Sequence, residues 1–194
     1  MIPSLILDGT DLPIRKPVVP LELRHLPKES WDWLRTWHSH KFNKYAIKYE
    51  LGVHVKTGRI VWCHGAFRGG MHDLNIFRAK LLPLLEPGEM ILADRGYVGS
   101  MSIITPTKGS PFRAFVRSPE DSVLNKVRAK VEIIIGRMKY FNILTDKFRG
   151  DLNTHHIIFD VICRLTNLML MYEPLKSKKE EKQGGYVYFP PKPQ

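Results

Sequence analysis

Met90-Ile91-Leu92-Ala93-Asp94-Arg95-Gly96-Tyr97 is an apolar run that ends abruptly in a carboxylate, a cation and a glycine. Its apolar residues, with Pro87-Gly88 before and Gly96 after, predict a short, fully buried strand. Asp94 stands at the C-terminal end of that strand. A carboxylate cannot be buried there alone, because its charge leaves water only at high cost unless a cation or hydrogen bonds compensate. In open α/β sheets the carboxyl ends of strands are also where ligands bind. A second stretch has the same form, since Ser4-Leu5-Ile6-Leu7 runs into Asp8 and then Gly9-Thr10. Each stretch alone reads equally as a strand followed by a turn; two such ends in one chain point to a shared site.

Length and composition set the limits around these strands. The chain has 194 residues, 43% of them hydrophobic, enough for one domain with a real core. Thirty Lys and Arg oppose 19 Asp and Glu, a net charge of +11. From Pro174 onward five Lys and two Glu contribute +3 of this, so the body keeps +8. That balance points to a polyanionic partner, nucleic acid before membrane. The two cysteines, Cys63 and Cys163, lie far apart and form no Cys-x-x-Cys pattern, which fits a reducing compartment and disfavours a disulfide scaffold or structural zinc site. No basic region precedes an apolar core at the N-terminus, so no secretory leader is expected. Asp160, Arg164 and Asn167 interrupt the most apolar late segment, 157–171, which reads as a core helix rather than a membrane span.

After the Asp8 strand, three prolines between Asp11 and Pro20 argue against a long regular element. Ser30 to Phe42 interleaves Trp31, Trp33 and Trp37 with Arg35, His38, His40 and Lys41. Such a stretch can stack on bases and hold phosphates, or it can form a short helix that packs its tryptophans on the core. Tyr45 to Val55 alternates, with Tyr45, Ile47, Tyr49, Leu51, Val53 and Val55 on one face and Lys48, Glu50 and His54 on the other, predicting a half-buried strand. Lys56-Thr57-Gly58 then turns the chain into a strand from Arg59, making an antiparallel hairpin. The loop 65–70 carries Arg68 and, lacking Gly-Lys-Ser/Thr, is no P-loop. Asp73 follows as a helix N-cap or as a fourth carboxylate near the site.

Beyond the Asp94 strand, 99–111 is a loop rich in Gly, Ser, Thr and Pro. Ser118-Pro119-Glu120-Asp121 starts a long helix whose apolar face is Leu124, Val127, Val131, Ile135 and Met138, reaching about Phe141. Arg128 and Glu132 sit one turn apart on its flank, with Lys139 beyond. At roughly 100° per residue Glu132 lies about 60° from Ile135, so it reaches inward or pairs with Arg128 at the surface. A last helix is expected from about Asn153 to Tyr172.

Taken in order, these pieces resemble the DDE superfamily endonucleases of PIF/Harbinger-type transposases. The matching residues are Leu7-Asp8-Gly9-Thr10, the basic stretch from Lys41 to Lys48, His72-Asp73, Ala93-Asp94 with Gly96-Tyr97, and Arg128, Glu132, Gly136 and Lys139. The resemblance implies an α/β, RNase H-like fold: a mixed five-stranded sheet flanked by helices, over residues 1–173, with 174–194 as a basic, Pro-rich disordered tail. It also implies that Asp8, Asp94 and Glu132 form a catalytic, metal-binding triad, with Asp73 as a further candidate ligand. Hard carboxylate oxygens suit Mg²⁺ or Mn²⁺, and a pair of such ions suits phosphodiester cleavage or strand transfer. Lys41, Lys44, Arg68, Arg95, Arg128 and Lys139 are the candidate phosphate contacts.

The implied activity is a metal-dependent endonuclease on DNA, nuclear in a eukaryote and otherwise cytoplasmic, with oligomers open. The alternatives are a domesticated, non-cleaving DNA-binding protein on the same fold, or an RNase H-like nuclease acting on RNA. Members of this family carry a helical DNA-binding region before the first aspartate, whereas Met1 here lies seven residues before Asp8. A truncated chain or a separate DNA-recognition protein is therefore expected.

Overall fold

The computed structural model describes residues 3–105 and 119–175. Most of the expected tail, the cap at Ser118, and the part of the 99–111 loop from residue 106 on lie outside the described residues.

β1 (Leu5–Pro13) is the middle of a six-stranded mixed sheet. On one side it pairs antiparallel along its whole length with β3 (Lys44–His54), Asp8 opposite Leu51. On the other side it pairs parallel with β5 (Ile91–Ala93), Leu7 opposite Ala93. β4 (Ile60–Arg68) and the short β2 (His38–Ser39) add to β3, and β6 (Ile103–Ile104) adds to β5. The sheet thus has six strands where five were expected, two of them being two-residue rungs where loop backbone meets a neighbouring strand. The helices are α1 (Pro27–Thr36), α2 (Asp73–Lys80), α3 (Pro119–Met138) and α4 (Leu152–Tyr172). This is the helix-flanked mixed sheet of an RNase H-like domain. Among the described residues no helix is long and apolar enough to cross a membrane.

Strand alternation gives the sheet two cores. Ile6 and Leu12 of β1, with Ile47, Tyr49, Leu51 and Val53 of β3, face Val131, Ile134, Ile135 and Met138 of α3 and Phe159 and Ile162 of α4. Leu7, Ile91 and Ala93 face the other way, against Phe77 and Leu81 beside α2 and against Tyr97. Asp8 and Leu92 therefore belong to the α3 face, while Gly9 and Asp11 belong to the α2 face.

This double cover changes several expectations. β3 is buried on both sides rather than half-buried, and Glu50, read as solvent-facing, is only 1% exposed. α1 begins at Pro27, ahead of the Trp-rich stretch, and buries Leu34 rather than its tryptophans; Trp31 is 63% exposed and only Trp37 packs against the core. α3 ends at Met138 instead of Phe141. α4 begins where Asp151 accepts the Asn153 N–H at 2.9 Å. Cys63 and Cys163, distant in sequence, meet as free thiols between β4 and α4, where the neighbouring thiol and burial push Cys163 up.

His155 of α4 is fully buried, its Nδ1 is 2.9 Å from the Tyr49 hydroxyl, and burial pushes its imidazole down from 6.5 to about 4. A depressed imidazole pKa means that folding favours the neutral ring. The stability it contributes is complete above pH 6.5 and is lost as pH falls toward 4. Urea unfolding should show this loss across that window in the wild type. In His155→Gln the loss should be absent, and the protein should be weaker at pH 8 by about 1–3 kcal/mol through the altered Tyr49 bond.

Candidate active site

The parallel register that sets Leu7 beside Ala93 places Asp8 and Asp94 next to each other along the same edge. Asp94 follows β5 directly, as the sequence predicts, and its Oδ1 accepts the Gly96 N–H at 2.8 Å. Asp8, by contrast, is not at a strand end: β1 continues five residues past it to Pro13 because β3 pairs with it throughout. Burial, and then the charge of Asp94, push the Asp8 carboxyl up to about 6, against the pull of Lys41, the Gly9 N–H and Arg128.

Glu132 stands on the flank of α3, more than half exposed, with its carboxylate 3.2 Å from Arg128 Nη2. The same guanidinium acts electrostatically on Asp8. Arg128 therefore lies between the aspartate pair and the glutamate. Among the described residues no three His, Cys, Asp or Glu side chains are grouped closely enough to hold a metal ion.

Of the expected phosphate contacts, Lys41, Lys139 and Arg128 surround Asp8. Lys41 and Lys139 both lie over the Phe42 ring, at 6.0 and 5.8 Å, and burial followed by repulsion from Lys41 lowers the pKa of Lys139. Arg95 is exposed on the turn after Asp94. Arg68 instead stacks over Trp33 and Trp37, at 5.7 and 5.4 Å. Lys44 lies farther out, on a groove that it shares with Lys139 and Pro13.

Beside the aspartates lies a cluster built around Asp73, the residue expected either as a helix N-cap or as a fourth carboxylate near the site. Asp73 is the first residue of α2, and the N-cap position falls to His72, whose side chain makes no cap bond. Its Oδ1 takes Lys48 Nζ at 2.8 Å, and Asp11 lies 3.8 Å from the same ammonium. A Cβ at Gly9 would meet Asp73 Oδ1 at 2.7 Å, and one at Gly96 would meet Asp73 Oδ2 at 3.1 Å. These two glycines admit the Asp73 carboxylate against the backbone beside Asp8 and Asp94. Farther along the same face, Glu50 accepts from Trp62 Nε1 at 3.0 Å, and burial pushes its carboxyl up to about 7. The usable sequence signal was Gly9, a glycine inside a strand that marks close approach rather than a turn.

Residues 7–167 match the DDE superfamily endonuclease family, and the chain belongs to it. Over 155 residues it is 29% identical to the "Probable transposase for insertion sequence element IS702" of Microchaete diplosiphon, a match covering 75% of this chain. The aligned part is 50% of that protein, so the chain spans about half the length of this relative. No solved structure matches it.

Two outcomes follow from the packing. Gly9→Ala should destabilise the protein by about 1–3 kcal/mol, and by less in an Asp73→Ala background, as a double-mutant cycle by urea unfolding would read. In chelator-treated protein at pH 8, Asp8→Asn should raise the melting temperature. The folded carboxyl titrates near 6 rather than 3.8, so above pH 6 its charge opposes folding by about 1–3 kcal/mol, which a neutral amide avoids.

Proposed function

We propose that this chain cuts or joins DNA phosphodiester bonds through Asp8, Asp94 and Glu132, in the manner of PIF/Harbinger-type transposases. The observation that carries this reading is the Asp8 and Asp94 pair on adjacent parallel strands, close enough for each charge to oppose the other. Such a pair of hard oxygen donors fits a divalent cation, because Mg²⁺ or Mn²⁺ relieves the repulsion. Asp8, Asp94 and Glu132 would hold the metal, with Asp73 close behind, and bound metal would supply Lewis-acid stabilisation of charge on the reacting phosphate.

The chain's own residues prepare the substrate. Lys41, Lys139 and Arg128 put positive charge around Asp8, where phosphodiester oxygens are held. Gly96 orients Asp94 through its N–H, and Asp73 keeps the two strand backbones in place. Glu132, now on Arg128, would complete the donor set when released. A separate DNA-recognition protein sets target choice, and the tail from 174 adds positive charge. The site of action is the nucleus in a eukaryote.

One observation favours the second reading, a domesticated protein that binds DNA without cleaving it: Glu132 is engaged by Arg128 instead of facing the aspartates. Nicking of supercoiled DNA separates the two. The wild type should nick only with Mg²⁺ or Mn²⁺, chelation should stop it, and Asp94→Asn should reduce it by at least about a thousandfold. Absence of nicking in the wild type, with salt-sensitive DNA binding kept, supports the non-cleaving protein.

A further inference from the structure

Two adjoining recesses run away from the aspartates along the end of β1. The nearer, about 310 Å³, is walled by Asp11, Pro13, Phe42, Lys44, Lys139 and Leu144. The farther, about 410 Å³, shares Pro13 and Lys44 and adds Lys16, His38, Tyr45 and Lys147. Lys139 also feels the charges of Asp8 and Asp11, so the track begins at the candidate active site. Lys44 and Lys147 make no ion pair among the described residues.

The walls are held from within the fold. Ser39 donates to the buried Asp11 carboxylate and accepts the Phe42 N–H at 3.3 Å. The Asn43 N–H reaches the Ser39 carbonyl at 2.9 Å, with Asn43 at φ +52°, a conformation that asparagine tolerates. This turn carries Lys41 and Phe42 and delivers Lys44. Opposite it, the bridge between Ile14 and Phe148 brings Lys147 alongside, with the Phe148 N–H on the Pro13 carbonyl at 3.0 Å. His38 meets the Tyr45 ring edge-on, with ring centres 5.8 Å apart.

We propose that the two recesses seat an unpaired DNA strand that continues from the carboxylates. Each recess is large enough for one flat, ligand-sized group. Tyr45 and His38 supply the farther recess with rings on which bases stack, Phe42 carries the Lys41 and Lys139 ammoniums at the nearer one, and the lysines lie along the track for the phosphates, as in grooves that hold single strands. A duplex keeps its bases stacked inward and cannot place them in such recesses. That the strand belongs to the substrate rests on the nuclease reading; its binding does not.

The test is fluorescence anisotropy with a labelled oligothymidylate of about 12 nucleotides, against a duplex of equal length. It uses the full chain carrying Asp94→Asn, without metal, so that an inactive nuclease changes nothing. Lys44→Glu and Lys147→Glu should each weaken single-strand binding about tenfold or more and lower the salt slope by about 0.7. They should weaken duplex binding less. Lys56→Glu, at the far end of β3, should change either affinity less than about threefold. Tyr45→Leu should weaken single-strand binding about fivefold or more at an unchanged salt slope; if it fails to fold, the two lysine variants decide. No single-strand binding, equal losses for duplex and single strand, or an equal effect of Lys56→Glu overturns the proposal. Lost nicking with this binding pattern intact overturns the nuclease reading alone.

Discussion

A charged carboxylate inside a buried strand is the constraint to which this fold answers. Asp8 sits in β1, paired with β3 on one edge and one residue past the end of the pairing with β5 on the other, in a strand covered on both faces, so water is largely replaced by protein around it. Asp94, which follows β5, adds like charge. Burial first and this neighbour second push the Asp8 carboxyl up to about 6. Lys41, Arg128 and Lys139, drawn from a loop, from α3 and from the turn just after it, counter it from outside the sheet. The basic surplus of the chain therefore has a focus.

The reverse face meets a related problem differently. Lys48 is almost buried, and it is satisfied by Asp73 and approached by Asp11. Breaking such a pair costs far more than forming it gains, because the partner is left charged and dry. The cluster therefore ties α2 to β1 and β3 at one spot. Gly9 and Gly96 are the steric conditions for that tie, since a methyl at either position would press on Asp73. Asp8 and Asp94 are thus braced from behind by a carboxylate that points away from their own face.

Much of this was legible in the chain. Apolar runs ending in Asp located β1 and β5, the alternation of β3 was correct, and Arg128 to Glu132 lay on the helix that packs over Asp8. The errors share a cause. Gly9 read as a turn because a strand glycine and a turn glycine look alike until the neighbour that fills the gap is known. Glu50 read as exposed, and Asp73 as an N-cap, because period two and helix start signals are local, while the cover supplied by α2 and Tyr97 arrives from 20 to 50 residues away. Burial of the second face is tertiary information, and no window of β3 alone contains it.

Arg128 ties these observations to function. Its pair with Glu132 is a helix-surface contact, with the carboxylate more than half in solvent, and exposed pairs at this spacing are worth only a few tenths of a kcal/mol. The penalty on the charged Asp8 carboxylate is larger: its rise from 3.8 to about 6, caused first by burial and then by Asp94, corresponds to about 3 kcal/mol at most. On the proposed reading, a cation held by the aspartates would relieve more than the release of Glu132 would cost, and Arg128 would then be available to phosphate. The Arg128 and Glu132 pair would on that reading be a resting arrangement, weak enough to rearrange.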